Sequence, residues 1–349
     1  MSVGTLNRIA ISRTAESTFG TAPATPNYKS YPVRADRPVI NVETVNDQDT
    51  LIGALENGLQ SIVTKVTATQ TIEMDARLDA MALLGKYAFG SLVTTAGATY
   101  SHLITVGTGS PVAPVALPSF AMLFQDPFNA SGNAWTFTGA KISRMSISGE
   151  AGGKLTMSTD IMIARPVSTS TGAQQETAVT MPSFLGLATD PILAMARVST
   201  FSIAGTSFLN QLKSFEFVFE NVFDDAAEMA AGSIALPSLE RIGFNVSGSF
   251  TLKADANAQA TDLINSYMTK IDTATTLGIQ TLPEIILAIG GGTSGHSATI
   301  TVRAAALADG SIAGQRGKLE KPITFTGMYD VGDSEAARIV VVNAQTTYA

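Results

Sequence analysis

The residues of this 349-residue chain that could carry chemistry are two histidines, a serine near one of them, and two groups of carboxylates. His102 and His296 both fall near the ends of predicted strands. A zinc site needs three or four nitrogen, sulfur or carboxylate ligands at fixed spacing, and neither neighbourhood offers them. No H-E-x-x-H pattern occurs. We therefore expect both histidines to be structural or solvent-facing.

The glycine-rich stretch "IGGGTSGHS" places Ser294 two residues before His296, a pair that could act as nucleophile and base. Neighbours in sequence rarely point at one another, however, and the nucleophile-elbow pattern G-x-S-x-G is missing. A phosphate-binding loop would need a lysine and a following helix, whereas a strand-like run follows here. The stretch predicts a flexible hairpin loop.

The carboxylates come in two groups, Asp47 with Asp49 and Asp330 with Asp333 and Glu335. Neither group follows the order of an EF-hand calcium loop, so solvated loops are expected, with incidental cation binding as the alternative. The chain has no cysteine, which excludes disulfides, thiolate nucleophiles and thiolate metal sites. The sequence thus predicts no catalytic, cofactor-binding or metal-binding residue, no cofactor and no enzymatic activity.

Composition favours a protein that associates with copies of itself. Charged residues make up only 15% of the chain, against the usual ~25%. A solvated monomer keeps charge on its surface, so a chain this poor in charge is expected to hide surface against other copies. The net charge of −7 and the absence of a Lys/Arg run argue against a groove that grips phosphates. Neither a signal peptide nor a membrane-spanning run is evident, so no membrane contact is predicted.

Strands dominate the predicted elements, and no β-α-β rhythm appears, which favours an antiparallel all-β or α+β fold. Two long amphipathic ribbons stand out. In the first, around the turn "GEAGG", one face of the second strand is mainly apolar: Leu155, Met157, Thr159, Ile161 and Ile163. In the second, "LKSFEFVFENVFDD" and "RIGFNVSGSFTLKAD", the apolar faces hold Phe215, Phe217 and Phe219, then Ile242, Phe244, Val246, Phe250 and Leu252.

Two short helices are predicted beside these strands. "DARLDAMALLGKYAFG" has helical apolar spacing, with Asp75 as its expected N-cap and Gly90 as its expected C-terminal stop. "NAQATDLINSYMTKID", residues 257–272, repeats the pattern. The chain therefore has the features of a mainly β (α+β) antiparallel sandwich or distorted barrel with one or two flanking helices.

Residues 1–50 are expected to form an extended N-terminal arm, because they are rich in proline and show little strand or helix period. Such an arm has little to bury alone and is expected to lie on a neighbouring subunit; the alternative is that it wraps over its own domain. Residues 51–349 are expected to form the main domain, a β-sandwich, with a polar linker or long loop near 168–182.

The order of these features resembles the tail tube proteins, or major tail proteins, of long-tailed bacteriophages. The resemblance rests on "AESTFGTAP" before a proline-rich arm, a strand running into a glycine-terminated helix in "QTIEMDARLDAMALLGKYAFG", and the hairpin "TFTGAKISRMSISGEAGGKLTMSTDIM". "QLKSFEFVFEN", "GFNVSGSFTLKAD" and "DLINSYM" follow in the same order. It covers most of the chain and implies that residues 51–349 form a tail-tube-like β-sandwich domain.

The resemblance implies a structural virion protein, made in the cytoplasm of the bacterial host. Copies form rings, usually of six, that stack into a hollow tube through which double-stranded DNA passes without specific binding. The implied partners are further copies of the chain, the tape-measure protein, and the tail terminator and distal tail proteins. Carboxylates expected to face the channel are Glu150, Asp160, Glu216 and Glu220, since each lies opposite an apolar row. Residues expected to join subunits through the arm are Phe19, Tyr28, Tyr31 and Arg34.

Three alternatives differ in class. The first is another tail component of the same fold, such as a terminator or distal ring protein. The second is a carbohydrate-binding β-sandwich, although a single tryptophan in the chain counts against an exposed aromatic platform. The third is a hydrolase that uses Ser294 and His296.

Overall fold

The computed structural model describes residues 7–23, 27–46, 61–106, 116–125, 133–166, 176–178, 181–182, 190–223, 233–254, 282–292, 295–309 and 319–348. Within these ranges the chain forms two antiparallel β-sheets and one α-helix. The prediction of a mainly β, antiparallel sandwich is confirmed, and the sheets do not close into a barrel. The helix expected on the flank of the sandwich is instead enclosed between its two sheets.

The elements of the described part follow one another as a long series of strands interrupted by the helix. They are β1 Arg8–Ser12, β2 Tyr28–Tyr31, β3 Val39–Asn46, β4 Ser61–Asp75, α1 Leu78–Phe89, β5 Ser91–Thr95, β6 Tyr100–Thr105, β7 Phe120–Gln125, β8 Asn133–Glu150, β9 Leu155–Arg165, β10 Glu176–Ala178, β11 Val198–Ile203, β12 Thr206–Ser207, β13 Leu212–Phe223, β14 Arg241–Ala254, β15 Ile285–Gly290, β16 Ser297–Val302, β17 Ala304–Asp309, β18 Leu319–Met328 and β19 Ala337–Asn343.

The long strand β8 organises the first sheet, because it has different neighbours along its length. Its C-terminal half lies between β9 and β13, and the sheet continues from β13 through β14 and β18 to β17. Beyond β9 come β4 and then β3. The N-terminal half of β8 pairs instead with β7, which leads to β1 and β2. Gly139, near this change of neighbour, has a φ of 66°, which glycine adopts without steric cost.

The second sheet has seven strands in the order β12-β11-β15-β16-β19-β6-β5. Its inward side chains join those of the first sheet in one large core, because alternate residues of each strand point between the two layers. The five predicted inward residues of β9 are buried, and so are Phe215, Phe217 and Phe219 of β13. The alternation read from the sequence therefore identifies the core face of both ribbons.

One residue of the second ribbon breaks the predicted pattern. Ile242 was expected on the apolar face but is 63% exposed, while the preceding Arg241 is buried. The reason is a β-bulge, since Val222 pairs with Gly243 whereas Phe223 pairs with Arg241. The extra residue reverses the inward and outward positions at the start of β14.

Helix α1 lies between the sheets, and all of its residues except Lys86 are buried. Gly90 ends it in the left-handed conformation, with its N–H bonded to the Lys86 carbonyl, as predicted. The prediction of Asp75 as N-cap is wrong, because the N-cap is Arg77. Asp75 still belongs to β4, where it pairs with Thr156, so the chain turns into the helix later than its sequence indicates.

Where residues 1–50 are described, they contribute three strands to the first sheet. β1 lies between β7 and β2, and β3 pairs with β4. Ile9, Ile11 and Tyr31 are buried in the main core. These parts of the segment therefore pack on their own domain.

Several sequence predictions lie outside the described residues. They are the second helix at 257–272, Ser294, the pair Asp47 and Asp49, and most of the linker near 168–182. Within that linker, β10 is described and pairs with β8. No helix in the described ranges has the length and apolarity needed to cross a membrane.

Candidate functional site: a polar sheet face and its exposed edges

The outward face of the first sheet carries small polar side chains in rows that cross the strands. In one row Thr156, Ser148, Glu216, Ser249 and Thr324 are successive cross-strand neighbours from β9 to β18. The residues beside them in sequence point the other way, into the core, because side chains alternate along a strand. The outcome is a wide surface rich in hydroxyl groups on the side of the sheet away from the second sheet.

The four carboxylates predicted to face a channel all lie on this polar face. Glu216 and Glu220 lie on β13, Asp160 on β9, and Glu150 at the end of β8. Glu150 and Glu220 are exposed, and the other two are half-exposed. The structure therefore brings together on one surface residues that are up to seventy positions apart in the chain.

Arg144 is a charged residue of this face that the sequence reasoning missed. It pairs in register with Asp160 on one side and with Glu220 on the other. Its guanidinium lies 4.0 Å from the Asp160 carboxylate and 3.7 Å from the Glu216 carboxylate. Ile147 and Met145 alternate into the core, so Arg144, next to Met145, falls on the polar side. The alternation of β8 could therefore have identified Arg144 from the sequence.

Some of the remaining charged residues of the polar face also form ion pairs. Lys154 lies 3.0 Å from Asp75, and Lys213 is ion-paired with Glu320. Carboxylates nevertheless outnumber cations among the described residues of this face. The acidic residues are Glu43, Glu73, Asp75, Glu150, Asp160, Glu216, Glu220 and Glu320, and the solvent-accessible basic ones are Arg34, Arg144, Lys154, Lys213 and Lys253. Two further lysines on this side of the sheet, Lys65 and Lys141, are buried.

Three of the four residues predicted to join subunits pack on their own subunit. Tyr31 is only 2% exposed and donates a hydrogen bond to Asp79, so it has no surface left for a neighbouring copy. Phe19 is half-buried against Leu236 and Leu239. Tyr28 is half-buried too, and this burial, with a smaller effect of a nearby carboxylate, raises the pKa of its phenol to about 12.

Arg34 remains as the exposed member of that set. It forms an isolated antiparallel bridge with Glu73 of β4, with backbone hydrogen bonds of 2.7 and 3.0 Å in the two directions. This pairing places Arg34 at the margin of the polar face, in the segment that leads into β3. Among the described residues its side chain has no ion-pair partner.

The ribbon formed by β3 and the first half of β4 leaves several of its apolar side chains exposed. Val42 faces the same side as its buried partner Val66, yet it is 52% exposed. Val39, Val45 and Ile62, on the other side of the ribbon, are between 55% and 61% exposed. Apolar groups that stay in water on both faces of a strand pair are typical of surfaces that contact another protein.

A second exposed apolar group lies in the turn between β18 and β19. Met328 and Tyr329 are about two-fifths exposed, and Val331 is 83% exposed. The turn is held in shape, since Asp330 Oδ1 accepts a hydrogen bond of 2.7 Å from the N–H of Gly332. Arg303 forms ion pairs with Asp333 and Glu335 of the turn and with Glu284, which directly precedes β15.

Of the two histidines, His102 lies on β6 of the second sheet. His102 is fully buried, with Nε2 3.1 Å from Asn343 Oδ1 and Nδ1 2.9 Å from the Thr94 hydroxyl. Burial lowers the pKa of its imidazole, so the neutral form is favoured. In the part of the chain that the structure describes, no three His, Asp or Glu side chains are arranged to hold a metal ion.

A buried polar network surrounds Asp79 in the first turn of α1. Its carboxylate accepts hydrogen bonds from Lys29 Nζ at 2.7 Å, from the Tyr31 hydroxyl at 2.7 Å and from the Tyr348 hydroxyl at 2.8 Å. The Tyr348 hydroxyl also accepts from Asn343. These bonds join β2, the helix and the C-terminal segment, so the network holds the domain together and offers no open site.

Asp190 lies beside this network and is poorly solvated. Its Oδ1 is 3.4 Å from the N–H of Asp79, and its Oδ2 has no hydrogen-bond partner among the described residues. Burial, and secondarily repulsion from Asp79, raise the pKa of the Asp190 carboxyl to about 6. It is therefore the acidic side chain of this core whose charge changes between mildly acidic and neutral pH.

Comparison with protein families and with curated proteins gives a match to a family. A family model described as phage tail tube protein matches residues 7–327, nearly the whole chain. The comparison with curated proteins gives no match.

Proposed function

Because the chain belongs to the phage tail tube protein family, we propose that it assembles into rings, of six copies each, which stack into the hollow tube that carries DNA from the virion to the host. The family is a structural one and not an enzyme family. Membership of the family does not by itself establish the number of copies in a ring, the surface that lines the channel, or the passage of DNA.

The observation that carries the proposal is the polar face of the first sheet. A sheet whose one side packs on a core and whose other side carries Ser, Thr and a few carboxylates suits a wall between protein and water. If copies stand side by side around an axis, their first sheets join into one continuous wall with this polar face inward. Glu150, Asp160, Glu216 and Glu220 then form belts of charge around the channel.

An excess of carboxylates on such a wall fits the passage of DNA. DNA binds proteins chiefly through cations that replace its counterions, and a wall with few free cations gives it nothing to bind. Walls of low dielectric constant also focus the field of the carboxylates into the channel, which repels phosphates. Arg144 weakens this effect locally, so the repulsion comes from the excess of acidic groups.

The remaining partners follow from the same role. In the assembled tail the tube encloses the tape-measure protein and ends at the terminator and distal tail proteins. The place of the protein is then the virion, after synthesis in the host cytoplasm. The exposed apolar ribbon of β3 and β4 supports contact between copies.

Negative-stain microscopy of the concentrated protein tests the proposal. We expect stacked rings of uniform width, and averaged end-on images of them should show six-fold symmetry. Rings that form but never stack would favour the alternative of a terminator or distal ring protein. A monodisperse particle of one subunit at all concentrations would contradict the proposal.

A further inference from the structure

We infer that the turn between β18 and β19 of one copy docks on the β3–β4 ribbon of the next copy, which sets the head-to-tail contact around the ring. The inference rests on the proposed function, since it names the surfaces that would join two copies. The turn, residues 328–335, lies just beyond the part of the chain that matches the family model.

The two surfaces lie at opposite sides of one sheet. From β3 the strand order runs through β4, β9, β8, β13, β14 and β18 to β17. The ribbon is therefore at one lateral edge, and the turn leaves β18 beside the other edge. A contact between two different patches of the same chain is heterologous, and such contacts generate rings when the rotation closes.

The register shows that both surfaces also project past the same end of the sheet. One row of cross-strand partners runs Ile72, Thr159, Met145, Phe219, Val246 and Gly327. The turn begins immediately after this row on β18. On β4 the pairing with β3 begins three residues past the same row, where Thr69 meets Val39. Copies placed side by side would bring turn and ribbon to the same height.

The chemistry of the two surfaces is complementary. Both present apolar side chains to water, and burying Met328, Tyr329 and Val331 against the valines of the ribbon would remove that exposure from both partners. The turn is held rigid by Asp330 and Arg303, so little conformational freedom is lost on docking. The turn also carries Asp330 and Asp333, whereas the edge of the sheet that bears the ribbon carries the exposed Arg34 beside Glu73, so the two edges differ in charge.

The absence of cysteine makes a direct test possible. Val331→Cys is combined in turn with Val39→Cys, Val42→Cys or Val45→Cys, and assembled protein is treated with a short bifunctional thiol reagent. At least one pair should give a covalent ladder up to the full ring, and mixing the two single variants should give linked dimers. Val93→Cys, at an exposed valine on β5 of the other sheet, is the matched control partner and should not link to Val331→Cys.

A second variant measures the energy of the contact. Val331→Asp places a charge on an exposed side chain, so folding should be unchanged, while the concentration needed for ring formation should rise at least tenfold. Val93→Asp should leave that concentration unchanged. Rings that form normally from Val331→Asp, or that link through none of the three ribbon positions, overturn the inference and leave the proposed function standing. A wild-type chain that never forms rings overturns the proposed function.

Discussion

The guanidinium of Arg144 lies 3.7 Å from the carboxylate of Glu216, between the two central strands of the polar face. Both side chains are almost half exposed, so the pair adds little to stability. Its effect is on the field of the surface, because one cation offsets part of the negative charge that Asp160, Glu216 and Glu220 create. If this face lines the proposed channel, the charge that acts on DNA is therefore the acidic excess that Arg144 does not offset.

Reversing charge on the polar face should make assembled tubes retain DNA. Glu216→Lys with Glu220→Lys leaves the buried side of β13 unchanged, so rings should still form. The new lysines, next to Arg144, would create a belt of cations around the channel. We expect short duplex fragments to bind these tubes at low salt and to be released as salt rises, because binding releases counterions. Measurement is by co-sedimentation over a salt series.

The matched control adds lysines to the opposite sheet, through Thr200→Lys and Thr299→Lys on its outward face. DNA held by this control should stay open to nuclease, whereas DNA held by the Glu216→Lys and Glu220→Lys tubes should be protected. Tubes of the first variant that ignore DNA, or that bind it only in nuclease-sensitive form, would show that these residues do not line the channel.

Removing the Tyr348 hydroxyl should destabilise the subunit. Tyr348→Phe keeps the buried ring but deprives Asp79 of a donor and Asn343 of an acceptor. The loss should be about 1–3 kcal/mol in the free energy of unfolding, as for other buried groups left without a partner. Urea denaturation measures it, with Tyr329→Phe, at an exposed position, as the control. Equal effects of the two changes would contradict the role assigned to the network.

Asp190→Asn should raise stability at neutral pH and not in acid. The pKa of the Asp190 carboxyl is about 6 in the folded chain, above its unfolded value of about 3.9. Its contribution to stability is therefore complete below pH 4 and is lost as pH rises through 6. At pH 8 the variant should gain up to roughly 3 kcal/mol over the wild type. Thermal unfolding at pH 4 and pH 8 checks this, and an equal gain at both would refute it.

Replacing both histidines should leave assembly intact. His102→Gln keeps a donor and an acceptor for Asn343 and Thr94 but cannot be protonated. The pKa of His102 is lowered by burial, so its contribution is present above the unfolded value of about 6.5 and is lost as pH falls through the folded value. The variant with His102→Gln and His296→Gln should thus lose less stability than the wild type between pH 7 and pH 5. Folded monomers that form no tubes would contradict this prediction.

The local patterns of the sequence determined much of the fold. A strand has a period of two, so Leu155 and Phe217 could be assigned to the core from their neighbours alone. Gly90 could be identified as a helix end because only glycine enters the left-handed conformation freely. The scarcity of clustered His, Cys and acidic residues pointed away from catalysis, in agreement with the structural family to which the chain belongs.

The features that could not be predicted from the sequence depend on which strands and segments contact each other in the folded chain. The bulge that exposes Ile242 arises from the pairing of two strands, and the ion pairs of Arg144 join three strands. Asp79 and Tyr348 are hydrogen-bonded across 269 positions, a distance over which no local pattern carries information. Val42 occupies an inward position in the alternation of β3, yet no described part of the subunit covers it, so it is exposed. Burial and partnership are properties of the folded chain, and only the tertiary structure decided them.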